Sequence, residues 1–118
     1  MAVDTITPIS LSLNDGTDVT GRTAITATNT FRIDVSNVKD HKLVVHILNT
    51  YAGSKAVTFN AGDIGALSSL GNLSVSVDAS TGEKIVCLES SRFYDSDGYI
   101  TGSYAASMTG YIAAYLLP

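Results

Sequence analysis

Few residues in this chain have types suited to chemistry, and their spacing argues against most of what they could do. Asp95-Ser96-Asp97-Gly98 has the opening of a calcium loop. Such a loop needs further oxygen ligands, including a bidentate acid near its twelfth position. That position is Ala106, and no acid follows Asp97. The segment therefore reads as a solvated hairpin turn, and Asn14-Asp15-Gly16 with Asp18 lacks ligands in the same way. His41 and His46 lie five residues apart. In one regular strand an odd spacing sends two side chains to opposite faces, so the pair does not converge on a metal. His46 alternates with Val44 and Leu48 and reads as a structural histidine on a mixed surface or interface. Cys87 stands between Val86 and Leu88 without a basic neighbour in register, and reads as a small apolar residue rather than a thiolate. Ser68-Ser69 and Ser90-Ser91 carry no nucleophile-elbow glycines, and no phosphate-binding glycine pattern occurs. The expectation is a chain with no catalytic residues, no metal site and no cofactor.

The tyrosines are more informative. Five of the six, Tyr94, Tyr99, Tyr104, Tyr111 and Tyr115, crowd the last quarter of the chain. On a strand, Tyr111, Ala113, Tyr115 and Leu117 share one face while Ile112, Ala114 and Leu116 share the other. A strand apolar on both faces is either central or covered by another subunit. Tyrosine combines large contact area with a polar tip and is enriched at interfaces. Subunit contact is favoured here; a sugar-binding platform is the rival, with no Trp to supply stacking.

The elements that must position these residues are strands. Period-two runs such as Leu43 to Leu48, Ala56 to Phe59, Leu73 to Val77 and Ile85 to Leu88 alternate with Gly, Asn and Asp turns. Phe31, Ile33 and Val35 fall on one face, Arg32 and Asp34 on the other. Residues 42–50 make the most apolar strand and read as central, and 55–59 follow as the next. Residues 72–78 and 83–89 read as a hairpin or sandwich pair across Ala79 to Gly82, and Arg92 to Tyr94 pairs with Tyr99 to Thr101 across the aspartate turn. Asn37 to Asp40 is a polar turn, and Asp63 is the N-cap of the one expected helical turn. Residues 1–22 form a polar arm in which Ile6, Ile9, Leu11 and Leu13 make one or two short strands, with Pro8 at an edge or break. The whole chain, 1–118, reads as a single all-β domain. It is expected to be an antiparallel, jelly-roll-like β-sandwich or barrel of about eight strands with an extended N-terminal arm.

Composition narrows the functional classes. Charged residues make up only 15% of the 118 positions, net charge is −4, and no Lys/Arg cluster occurs, which argues against a nucleic-acid partner. A sparsely charged surface suits a protein that buries part of its outside against partners. No run approaches the length of a membrane span. One cysteine forbids an internal disulfide, and Met1 to Thr5 lacks a signal-peptide pattern, so folding in a reducing cytoplasm is expected.

Three segments, read in order, carry a resemblance: Lys55-Ala56-Val57-Thr58-Phe59-Asn60-Ala61-Gly62-Asp63; Leu73 to Val77 leading into Leu88-Glu89-Ser90-Ser91-Arg92-Phe93; and Asp97-Gly98-Tyr99-Ile100 with the terminal Thr109 to Pro118. Over roughly residues 50–118 the chain resembles small virion proteins of tailed phages and prophages encoded near the major capsid protein. The resemblance implies a non-enzymatic capsid-decoration role on the shell exterior at capsomer junctions. It also implies self-association as a homotrimer and the major capsid protein as partner. The contacts expected on this reading are Tyr104, Tyr111 and Tyr115. The arm residues Val3, Ile6, Ile9, Leu11 and Leu13 form a second strip able to add to a neighbour's sheet edge. The alternatives are a carbohydrate-binding or cell-surface adhesion β-sandwich, or a tail or connector component of a virion.

Overall fold

The computed structural model describes residues 2–36, 38 and 42–118. The expected turn at Asn37, Lys39 and Asp40, and the divergence of His41 from His46, lie outside the described residues. Among the described residues ten strands run in chain order: β1 (Val3–Ile6), β2 (Ile9–Ser10), β3 (Thr23–Ala24), β4 (Thr30–Asp34), β5 (Leu43–Asn49), β6 (Lys55–Phe59), β7 (Leu73–Val77), β8 (Gly82–Cys87), β9 (Tyr99–Tyr104) and β10 (Gly110–Leu116). They form two five-stranded sheets. The first has the order β1-β4-β9-β6-β7; the second has the order β2-β10-β5-β8, with β3 also on β10. Both sheets are open, so the architecture is an all-β sandwich and not a closed barrel.

Alternation explains the packing. β4, β5 and β9 bury every second residue, and Phe31, Ile33, Val45, Ile47 and Ile100 are at most 1% exposed. Full burial of such a side chain contributes roughly 1.5–3 kcal/mol. Phe31 packs edge-on against Phe59, with centroids 5.6 Å apart, and lies 5.1 Å from the tilted ring of Tyr104. Gly102 opposes Phe31 in register, and a Cβ there would fall 2.3 Å from Phe31 Cζ, so the ring occupies the space a side chain would need.

The arm departs from expectation. Its first strand, β1, runs parallel to β4 at the edge of the first sheet. After Thr7 and Pro8 the chain crosses over, and β2 runs parallel to the end of β10 in the second sheet. The Leu11 N–H extends this pairing to the Leu116 carbonyl at 2.9 Å. The arm thus stitches the two sheets of its own chain together, and the sheets are mixed rather than purely antiparallel.

Of the hairpin or sandwich pair expected for β7 and β8, the strands take the sandwich arrangement: β7 pairs β6 in the first sheet and β8 pairs β5 in the second. Two local expectations are corrected. Ser90–Phe93 is a short helical turn, not a strand, and it buries Phe93. A 3₁₀ turn forms at Ala66–Leu70 with Gly65, not Asp63, as its N-cap. Asp63 instead accepts hydrogen bonds from the Ser96 N–H (2.8 Å) and hydroxyl (3.2 Å).

Candidate functional site

The two outer faces of the sandwich differ in chemistry, and the pairing register shows how. On the second sheet, three rows cross from β10 through β5 to β8. Tyr115 pairs with Val44, which pairs with Cys87; Ala113 with His46 and then Ile85; Tyr111 with Leu48 and then Glu83. Ile9 and Ala24 extend the outer two rows onto β2 and β3. Directly paired residues share a face. Because Val45, Ile47, Ile112 and Ala114 fill the core, these partners point away from it. Ile85 is 69% exposed and Tyr111 36%, in an area that also holds Val44, Leu48, Tyr115, Cys87 and the polar His46 and Glu83.

Polar groups on this face are few and already engaged. His46 Nε2 lies 2.9 Å from Glu83 Oε1. The Arg22 guanidinium stacks 4.1 Å from the centre of the Tyr111 ring. Cys87 is exposed on the edge strand β8.

The outer face of the first sheet is hydroxyl-rich. Val3, Thr30, Ser103, Thr58 and Ser74 form one row, and Thr5, Arg32 and Thr101 another. Arg32 is fixed twice: Nε donates to Thr5 Oγ1 at 2.9 Å, and Cζ stacks 4.4 Å from the Tyr99 ring centre. Asp34 Oδ1 accepts from the Ser36 hydroxyl (2.7 Å) and N–H (3.1 Å), and these bonds hold its carboxyl below the usual range. The aspartate turn uses Asp95 internally: Oδ1 accepts from the N–H groups of Asp97 and Tyr99, each at 3.0 Å. Among the described residues, no three His, Cys, Asp or Glu side chains come together as metal ligands.

The expected contact residues divide between these regions. Ile9, Tyr111 and Tyr115 come together on the outer face of the second sheet. Leu11 is half-buried beside the end of β10, and Leu13 is 77% exposed in the loop beyond. Val3 is exposed at the edge of the other sheet. Ile6 and Tyr104 are corrected as contacts, because both lie in the chain's own core at 3% and 8% exposure. Tyr104 points inward with Ile100 and Gly102 on β9. Burial pushes its phenol well above the usual range, and the Asp4 carboxylate adds to the effect. Among the described residues, the Tyr104 hydroxyl and Asp4 Oδ2 have no hydrogen-bond partner.

Ile85 and Cys87 on this face were not anticipated as contacts, whereas His46, alternating with Val44 and Leu48, was read as lying on a mixed surface or interface. The signal was available: Leu43 to Leu48 has apolar residues at both parities, as β10 does, and two adjacent strands of that kind must cover both sides of their sheet. Comparison of the chain with family models, curated proteins and solved structures finds no match.

Proposed function

We propose that this chain is a non-enzymatic structural subunit of a tailed-phage virion, decorating the capsid exterior through the outer face of its second sheet. The observation that carries the reading is the asymmetry of the sandwich. One face carries apolar surface around Ile85, Val44 and the two tyrosines, interrupted by the His46–Glu83 pair; the other is a field of Ser and Thr hydroxyls. A surface that keeps apolar area exposed on one side marks an interaction site. The resemblance over residues 50–118 supplies the class of partner, the major capsid protein, and the homotrimer as the unit that binds. Decoration suits a small rigid sandwich, because many weak contacts repeated over a shell add through multivalency. Ile9, Tyr111 and Tyr115 carry this contact together with Ile85, whereas Ile6 and Tyr104 serve the fold.

The test begins with particles banded from an induced culture of the strain that carries the gene. Mass spectrometry should find the chain in the band at a fixed ratio to the major capsid protein. Purified wild-type chain should rebind particles stripped of it. Ile85→Glu should abolish rebinding while melting within a few degrees of wild type, because the side chain is exposed on an edge strand. Absence from the band, or rebinding untouched by Ile85→Glu, overturns the proposal.

A further inference from the structure

The first sheet carries a second feature, independent of the apolar face and on the opposite side of the sandwich. An open groove of about 580 Å³ runs over β4 and β9, bounded by Val3 at one edge and the aspartate turn at the other. Thr30, Arg32, Thr101 and Ser103 line its floor, and Asn60, Asp97 and Tyr99 stand at its sides.

The polar groups in this groove are held in place before any ligand arrives. Arg32 is pinned by its bond to Thr5 and its stack on Tyr99, which leaves its terminal nitrogens without a hydrogen bond among the described residues. Asn60 Nδ2 donates to Thr101 Oγ1 at 3.2 Å, and the Asn60 N–H donates to the Thr101 carbonyl at 2.8 Å. That arrangement leaves Asn60 Oδ1 as an acceptor. The Asp97 carboxylate makes no hydrogen bond among the described residues, because the Asp95 carboxylate and not its own closes the turn. The lining therefore combines the planar donors of Arg32 with the planar acceptors of Asn60 and Asp97 and with the hydroxyls of Thr30, Thr101 and Ser103.

The chemistry selects the occupant. A metal cation is disfavoured by the Arg32 guanidinium in the floor, and by Asp95 having Oδ1 committed to two N–H groups. A simple anion meets the carboxylates of Asp95 and Asp97. An apolar ligand would strand the hydroxyls and amide without partners. What satisfies planar donors and acceptors beside hydroxyls is a ligand bearing neighbouring hydroxyl groups, each able to donate and accept. We propose that this groove binds a neutral saccharide. On a decorated particle such a site would face away from the shell, but its binding does not depend on the capsid reading.

The experiment uses the purified full chain on a printed array of neutral and acidic bacterial and host oligosaccharides, where dense display amplifies weak single-site binding. Wild type should be retained by at least one neutral oligosaccharide. Asp97→Ala should lower that signal tenfold or more, and it leaves the fold intact because the exposed side chain supports no hydrogen bond among the described residues. Asn60→Ala should do the same, and Tyr111→Ala, on the opposite face, should leave binding unchanged. Retention by no oligosaccharide, retention by acidic ones only, or a neutral signal indifferent to Asp97→Ala and Asn60→Ala each overturns the proposal. Capsid rebinding by Asp97→Ala should match wild type, so failure of the saccharide site and failure of the capsid contact register separately.

Discussion

Asn49, at the end of β5 in the second sheet, donates its side-chain amide to the carbonyl of Val77 in the first sheet at 3.2 Å. The same nitrogen reaches the carbonyls of Asp78 (3.1 Å) and Gly53 (3.0 Å), while Oδ1 accepts from the Tyr51 N–H at 3.0 Å. Asn49 is wholly buried and is the only buried polar residue among those described. It holds the two layers together where β5 and β7 end. Asn49→Leu leaves these backbone groups without their partner. The expected cost is about 3 kcal/mol, read as a lower urea midpoint with an unchanged slope.

Tyr104 should respond in the opposite sense. Its buried hydroxyl has no partner among the described residues, so Tyr104→Phe removes a desolvated polar group and keeps the ring against Phe31. The variant should be more stable than wild type at pH 7, by about 1 kcal/mol. The pH dependence follows from the raised phenol. Its folded value lies above that of the unfolded chain, near 10. This group therefore leaves stability independent of pH below about pH 10 and lowers it as pH rises beyond. Urea titrations at neutral pH and near pH 10.5 should show a smaller alkaline loss in Tyr104→Phe than in wild type.

Deletion of residues 1–12 tests the arm. It removes β1, β2 and the buried Ile6, and it strips the partner from one edge of β4 and from the end of β10. The isolated domain should lose about 3 kcal/mol or more, seen in thermal melts. An unchanged melting temperature would show that the arm contributes little to the sandwich. Val3→Ser, which changes only an exposed edge residue, should melt like wild type.

Much of this fold is written in local alternation. The burial of Phe31, Ile33 and Val35, the centrality of residues 43–49, and the two apolar faces of β10 follow from parity alone. Parity on β9 also places Tyr104 inward with Ile100 and Gly102, although interface preferences for tyrosine suggested otherwise. Pairing partners were less legible. Val75 and Val86 look equally ready for a hairpin, yet β7 takes Val57 as partner and β8 takes Val45. That choice is made by burial across the sandwich and by the Asn49 clamp. The polar groove was hidden for the same reason: Arg32, Asn60 and Asp97 meet only through the β4–β9 register and the turn before β9.

The route of the arm also bears on when this chain can fold. β10 is the hub of the second sheet, holding β2 and β3 along one edge and β5 along the other. Leu11 bonds to Leu116, which lies far along the chain. On a ribosome the early strands emerge without the strand that organises them, and edges built for β10 stay open until β10 itself has emerged. Closing such distant pairs is slow, and open edges invite pairing between nascent chains. Emergence of β10, rather than of any earlier segment, thus becomes the event that permits the second sheet to form.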